Sequence, residues 1–166
     1  VPMDRALILI APKGRETEMI QRLARVGFDN ILGYLGGDLQ AWTEASMPTD
    51  HIQRITAKTL ESNYAATKAQ ILDVRALGEY QTEHIHDVNF LPLDAIFARI
   101  NELPTSTAKQ PLIIHCAGGY RSMVFASIIK AHGHHHIMDV IGGYHAIKGL
   151  KGIPLSNFDC PTTLKA

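Results

Sequence analysis

An α/β fold built on a doubly wound parallel sheet is what this sequence predicts. Short apolar runs of strand length, such as Ala6 to Ile10 and Leu112 to Ile114, alternate with longer stretches whose apolar residues recur at helical spacing. Glycines stand at the joints, at Gly27, Gly36-Gly37, Gly133 and Gly142-Gly143, where helices stop or strands turn. The stretch Pro111 to Ser122 reads as strand, tight loop and helix in immediate succession. Strands that alternate with helices pair in parallel, and in such sheets sites form at the carboxyl ends of the strands.

Taken in order, Ala6 to Ile10 is a strand, broken by Ala11-Pro12-Lys13-Gly14. From Arg15 to Val26 the residues Met19, Ile20, Leu23, Ala24 and Val26 share one helical face. Gly27 stops that helix, Asn30 to Leu35 is a second strand, and Gly36-Gly37 opens a short helix carrying Leu39, Ala41 and Trp42, of which Trp42 is expected in the core. Pro48 closes the unit, and 49–54 reads as a linker. Thr56 caps a helix through about Ala66. Gln70 to Val74 is a strand leading into Asp73-Val74-Arg75, and Glu79-Tyr80 lies on a helical turn. Asp94 caps a helix from Ala95 to Leu103 with Ile96, Phe97 and Ile100 inward. The strand ending at Cys116, a helix from Met123 to Ala131, a strand from Ile137 to Val140 and a helix from Tyr144 to Leu150 complete the unit.

Sliding the chain by 106 positions aligns Ala11 with Ala117, Arg15 with Arg121, Gly27 with Gly133, Gly36-Gly37 with Gly142-Gly143 and Pro48 with Pro154. These are the positions that backbone geometry dictates, so we expect an internal duplication. Residues 1–48 would be a partial copy, 55–155 a full one, and 156–166 a tail. Ile10 occupies the place of Cys116, so the first copy is expected to be an inactive scaffold packed against the second.

The chemistry concentrates in the loop after Leu112 to Ile114. A thiol where a helix begins meets converging backbone N–H groups and the positive end of the helix dipole, both of which favour thiolate. Gly118 and Gly119 let the backbone curl, and Arg121 adds a fork-shaped cation suited to an oxyanion. The result is an anion cradle with a sulfur nucleophile, Cys116, at its floor.

The 166 residues carry sixteen basic and sixteen acidic side chains, a formal charge of zero that argues against nucleic acid as partner. No run approaches a membrane span. Two cysteines make no disulfide framework, and a reducing cytoplasm is the expected location. The chain begins Val1-Pro2, so a fragment or a processed product is expected.

The segment from about Ile55 to Leu155 resembles a rhodanese domain, the sulfurtransferase fold. The residues that carry the resemblance are Leu72-Asp73-Val74-Arg75, Glu79-Tyr80, His84-Ile85, Leu91-Pro92-Leu93, His115-Cys116-Ala117-Gly118-Gly119-Tyr120-Arg121-Ser122 and Val140-Ile-Gly-Gly-Tyr144. Phe90 departs from the family pattern, standing where asparagine is usual. The arrangement with an incomplete copy in front resembles the C-terminal region of fusion proteins in which a metallo-β-lactamase-like persulfide dioxygenase comes first. That enzyme's metal motifs do not occur in this chain.

The resemblance implies transfer of sulfane sulfur from thiosulfate or a low-molecular-weight persulfide to a thiol or cyanide, through a persulfide on Cys116. Ala117, Gly118, Gly119, Tyr120, Arg121 and Ser122 would hold the donor, with Tyr120 at the mouth, and Asp73 and Arg75, with Glu79, would brace the loop. Asp73 and Arg75 could instead be a structural ion pair. No cofactor and no metal are implied. Two alternatives stand beside this: a relay module that only receives sulfur, and a phosphatase, whose relatives place one residue more between cysteine and arginine than the four here. His115 precedes the nucleophile in a strand, so its side chain points to the other face and it is expected to be a packed core residue. His132 and His134 to His136 read as surface histidines rather than metal ligands, and Cys160 as a bystander thiol or, if the tail folds back, a resolving one.

Overall fold

The computed structural model describes residues 2–67 and 70–157, and the chain divides into two compact units, Val1–Asp50 and His51–Ala166. The first unit runs β1 (Leu7–Leu9), α1 (Glu16–Ala24), β2 (Ile31–Tyr34), α2 (Asp38–Glu44), with β1 and β2 paired in parallel. Helix α1 keeps Met19, Ile20 and Leu23 half-buried and ends at Ala24, so Val26 lies beyond it and is exposed. Trp42 is half-buried, and its indole N–H donates to the Pro48 carbonyl at 3.1 Å.

The second unit runs β3 (Gln53–Thr56), α3 (Ala57–Thr67), β4 (Ile71–Asp73), α4 (Leu77–Thr82), β5 (Glu83–Ile85), β6 (Asn89–Phe90), α5 (Ile96–Arg99), β7 (Leu112–His115), α6 (Tyr120–Ala131), β8 (Ile137–Ile141), α7 (Gly143–Ile147) and β9 (Leu155–Asn157). Five strands form one all-parallel sheet in the order β3-β8-β7-β4-β6. Strand β7 is central and every residue of it is buried, as a strand covered on both faces must be. One core joins Leu72, Leu112, Ile114 and Cys116 to Ile96 of α5 and to Phe125, Ala126 and Ile129 of α6. The other joins Ile71, Ile113 and Val140 to Ala57 and Leu60 of α3 and to Tyr144 and Ile147 of α7. Helices on both faces make the sheet doubly wound, as the alternation of strands and helices predicted. Helix α3 begins where Thr56 caps it, its hydroxyl accepting the Thr59 N–H at 3.1 Å.

Four expectations are corrected. Residues 53 and 54 are not linker: Gln53–Thr56 is β3, paired with β8. It is an edge strand of four residues with a single half-buried apolar position, Ile55, too short a pattern to read. The expected helix 95–103 is a 3₁₀ turn Leu93–Ala95, the short α5, and a second 3₁₀ turn Ile100–Glu102. Ile96, Ile100 and Leu103 face the core at a spacing of four and three, which leaves Phe97 one position off that stripe and 72% exposed. The tail does not begin at 156, because Leu155–Asn157 is β9, antiparallel to β5. Helix α6 starts at Tyr120, a turn before Met123, which brings its first N–H groups to Cys116.

Candidate functional site

Cys116 follows β7 directly, at the carboxyl end of the sheet's central strand, and is 1% exposed. Gly119, the residue before α6, takes φ 108°, a conformation that glycine adopts without a Cβ clash. That turn aims the Gly119 N–H at Cys116 Sγ, at 3.1 Å. Burial disfavours the thiolate, but hydrogen bonding from Ser122, Gly119 and Gly118 outweighs it and holds the thiol below its ordinary range. The structure thus brings Cys116 together with Gly118, Gly119 and Ser122. Ala117 contributes its carbonyl on the outer side of the loop, and Tyr120 points outward, 83% exposed.

The outer side of the loop has its own support. The N–H of Tyr144 donates to the Cys116 carbonyl at 2.7 Å and that of His145 to the Ala117 carbonyl at 3.0 Å. Gly143 lies so close that a Cβ there would overlap both carbonyl oxygens. The Gly142-Gly143 pair is a motif of the resemblance, yet its role as the loop's outer wall emerges only with the fold.

Arg121 does not face the thiol as a lone cation. Both its Nη groups donate to Glu79, at 2.5 and 2.8 Å, and Glu79 also accepts the Ala76 N–H at 3.1 Å. The Arg121 guanidinium is the main cause that holds the Glu79 carboxyl down to about 2. The hydrogen bonds of the Asp73 and Arg75 side chains go to each other and to the Glu83 carbonyl rather than to the loop. Arg75 donates to Asp73 at 2.7 Å and to the Glu83 carbonyl at 2.7 Å, and stacks 3.9 Å over the Tyr144 ring. The two form a buried ion pair, while the Glu79 side chain crosses from α4 to Arg121 on α6.

His115 is fully buried and packs at 6.2 Å from Tyr144, on the opposite face from Cys116. A carbonyl can only accept, so the Nδ1–H donates to Cys116 O at 3.4 Å. Burial, the larger influence, pushes its pKa down against the pull of Asp73, so it is a neutral core residue and no base for Cys116. His132, His135 and His136 are exposed and His134 is half-buried. Among the described residues no three His, Cys, Asp or Glu side chains lie together as a metal site would need. Cys160 falls outside the described residues.

Two residues escaped the sequence reading. Asp139 on β8 is fully buried and accepts the Ser122 hydroxyl at 2.6 Å, and Arg54 on β3 donates from Nε to Asp139 at 3.1 Å. Arg54 sits in what read as linker, so no local signal could have found it.

Comparison with known proteins fits this geometry. A protein-family model, the rhodanese-like domain, matches residues 56–150. "Uncharacterized protein YqhL" of Bacillus subtilis (strain 168) is 31% identical over 94 residues, 55% of this chain and 72% of its own length. "Putative sulfur carrier protein YrkF" of the same organism is 30% identical over 108 residues, 65% of this chain and 55% of its own length. Among solved structures, a rhodanese-like domain protein from Staphylococcus aureus superposes with a TM-score of 0.52 at 30% identity, covering 62% of this chain and 97% of that one.

Proposed function

This chain belongs to the rhodanese-like domain family, and from that premise we propose that it transfers sulfane sulfur through a persulfide on Cys116. The Cys116 thiolate attacks the outer sulfur of the donor. An S–S bond forms, the donor's own S–S bond breaks, and the electron pair leaves on sulfite when the donor is thiosulfate, or on a thiolate when it is a persulfide. An acceptor thiol or cyanide then takes the outer sulfur and returns Cys116 to thiolate. The observation that carries this reading is the Gly119 N–H aimed at Cys116 Sγ at 3.1 Å, with α6 beginning one residue later. Fixed N–H dipoles stabilise negative charge on sulfur before, during and after transfer, and cost no reorganisation at the moment of reaction.

The test is intact-mass analysis after exposure to thiosulfate and, separately, to glutathione persulfide. One sulfur atom gained on the native chain and none on Cys116→Ser is the expected result. A gain that persists in Cys116→Ser overturns the reading. The second reading, a relay that receives sulfur without turning over, draws on the near-complete burial of Cys116 and on the sulfur carrier name of one relative. Persulfide formation without turnover toward cyanide or a small thiol favours the relay.

Residues 1–50 enter this proposal as a partial, sulfur-inert copy of the same unit. Ile8 pairs with Gly33 and Ile114 with Asp139, and each residue of the second pair lies 106 positions after its counterpart. Gly27 and Gly133, also 106 apart, follow α1 and α6 with φ 90° and 95°. The partners are a small sulfur donor and a thiol acceptor, with a fused upstream metallo-β-lactamase-like domain as a source of persulfide, and the reducing cytoplasm suits the chemistry.

A further inference from the structure

The cradle's cation is not the one that the loop itself carries. Arg121 is committed: both Nη groups donate to the two carboxylate oxygens of Glu79, so its charge is balanced and its fork is closed. Arg54 is placed differently. Its Nε donates to Asp139 Oδ2 at 3.1 Å, and Asp139 is buried and held from its other oxygen by the Ser122 hydroxyl at 2.6 Å. This fixes one edge of the guanidinium. Arg54 Nη2 then faces the open side of Gly119, 3.8 Å from where a Cβ on that glycine would stand. Gly119 is the residue whose N–H meets Cys116 Sγ. A guanidinium has five N–H donors, and among the described residues Asp139 is the acceptor that Arg54 meets, at Nε alone. The Nη donors therefore remain for a ligand, on a side chain 46% exposed.

We propose that Arg54 binds the oxyanion on the donor's leaving group, which makes it a specificity-determining residue for donors whose far end is anionic, such as the sulfonate end of thiosulfate. This rests on the sulfur-transfer reading. The sulfonate end of thiosulfate is anionic before Cys116 attacks and stays anionic as sulfite departs. A cation beside Gly119 meets that charge, while the cradle N–H groups keep the charge on Cys116 Sγ. A persulfide donor leaves as a thiolate with no oxyanion, so it gains far less from Arg54.

The test measures formation of the Cys116 persulfide by intact mass in single turnovers, as a function of donor concentration. The donors are thiosulfate and benzyl persulfide, whose leaving group is a thiolate on an apolar stem with no oxyanion. Arg54→Gln is expected to raise the half-saturating thiosulfate concentration about tenfold or more, with a smaller change in the limiting rate, since one charge-assisted interaction is lost. For benzyl persulfide the same quantity should move several-fold less. Arg54→Lys, which keeps the charge, should recover part of the thiosulfate effect. If Arg54→Gln does not fold because it strands a buried carboxylate, the pair Arg54→Gln with Asp139→Asn removes that charge and is read in the same way. No sulfur on native Cys116 from either donor defeats the sulfur-transfer reading and this assignment with it. A native protein that takes up sulfur, with a variant unchanged toward thiosulfate or equally impaired toward both donors, overturns the Arg54 assignment alone.

Discussion

Ser122 has one hydroxyl proton and three acceptors within reach: Asp139 at 2.6 Å, the Gly119 carbonyl at 3.2 Å and Cys116 Sγ at 3.5 Å. The carboxylate, shortest and charged, takes it. The backbone N–H groups of Gly118, Gly119 and Ser122 are then the donors that lower the thiol's pKa. Ser122→Ala should therefore leave the midpoint of Cys116 alkylation against pH below the ordinary thiol value of about 8.5, while the unpaired Asp139 oxygen costs about 1–3 kcal/mol of stability. A return of the midpoint to the ordinary value would mean that the hydroxyl carries the ionisation. Because the folded thiol is the more acidic, its ionisation stabilises the fold above the unfolded thiol's pKa, and that contribution fades as pH falls through the folded value. Glu79 follows the same sign on the acid side. Its carboxyl is held at about 2 against 4.5, so its pair with Arg121 contributes fully above about pH 5 and is lost as pH falls from there toward 2. The side chains are 32% and 38% exposed, so the contribution is about 1 kcal/mol. Glu79→Gln should lower stability at neutral pH and flatten the acid limb of a melting-temperature profile between pH 5 and 2. An unchanged profile would assign no stability to the pair.

At the scale of the element, the glycines of the loop have unequal jobs. Gly118 takes no positive φ, and nothing lies within 4 Å of where its Cβ would be. Gly119 holds φ 108°, and Gly143 backs onto the Cys116 and Ala117 carbonyls. Gly118→Ala should keep the melting temperature and the thiol's alkylation profile. Gly119→Ala should cost about 1–3 kcal/mol through backbone strain. Gly143→Ala must push the loop away from α7, so a loss of sulfur transfer of about tenfold or more is expected, because displacement of about 1 Å at a reacting centre costs far more than that. Gly149→Ala, with open space around it, is the control. Equal tolerance at 119 and 118 would sink this account of the turn.

Each unit opens strand, loop, helix, and the two loops differ. In the second, four residues, 116–119, separate β7 from α6, and in the first, six residues, 10–15, separate β1 from α1. The wider loop contains Pro12, which has no N–H to offer, and Ile10, the residue 106 positions before Cys116, is 57% exposed. Under the duplication proposed above, sulfur alone would not supply the chemistry there. Ile10→Cys combined with Cys116→Ser should gain no sulfur from thiosulfate or glutathione persulfide, and the thiol introduced in the first unit should alkylate with an ordinary midpoint. A persulfide on that introduced thiol would end the sulfur-inert reading of residues 1–50.

The strand–loop–helix at Cys116 was legible because it is local. Apolar run, cysteine, two glycines and helix follow one another within a few residues, and the covalent chain alone makes the N–H groups converge. The doubly wound sheet was legible for the same reason, from the alternation of strand-length and helix-length patterns. His115 could be assigned to the core because adjacent strand residues point to opposite faces. What the chain cannot state locally is which strands become neighbours. Only the order β3-β8-β7-β4-β6 brings Arg54 beside Asp139, 85 residues away, and only the crossing of α4 to α6 joins Glu79 to Arg121 over 42. Charge balance is a sum over spatial neighbours. A reading along the chain therefore assigned the cradle's cation to Arg121, and the packed sheet closes that arginine with Glu79 while it turns Arg54 toward Gly119.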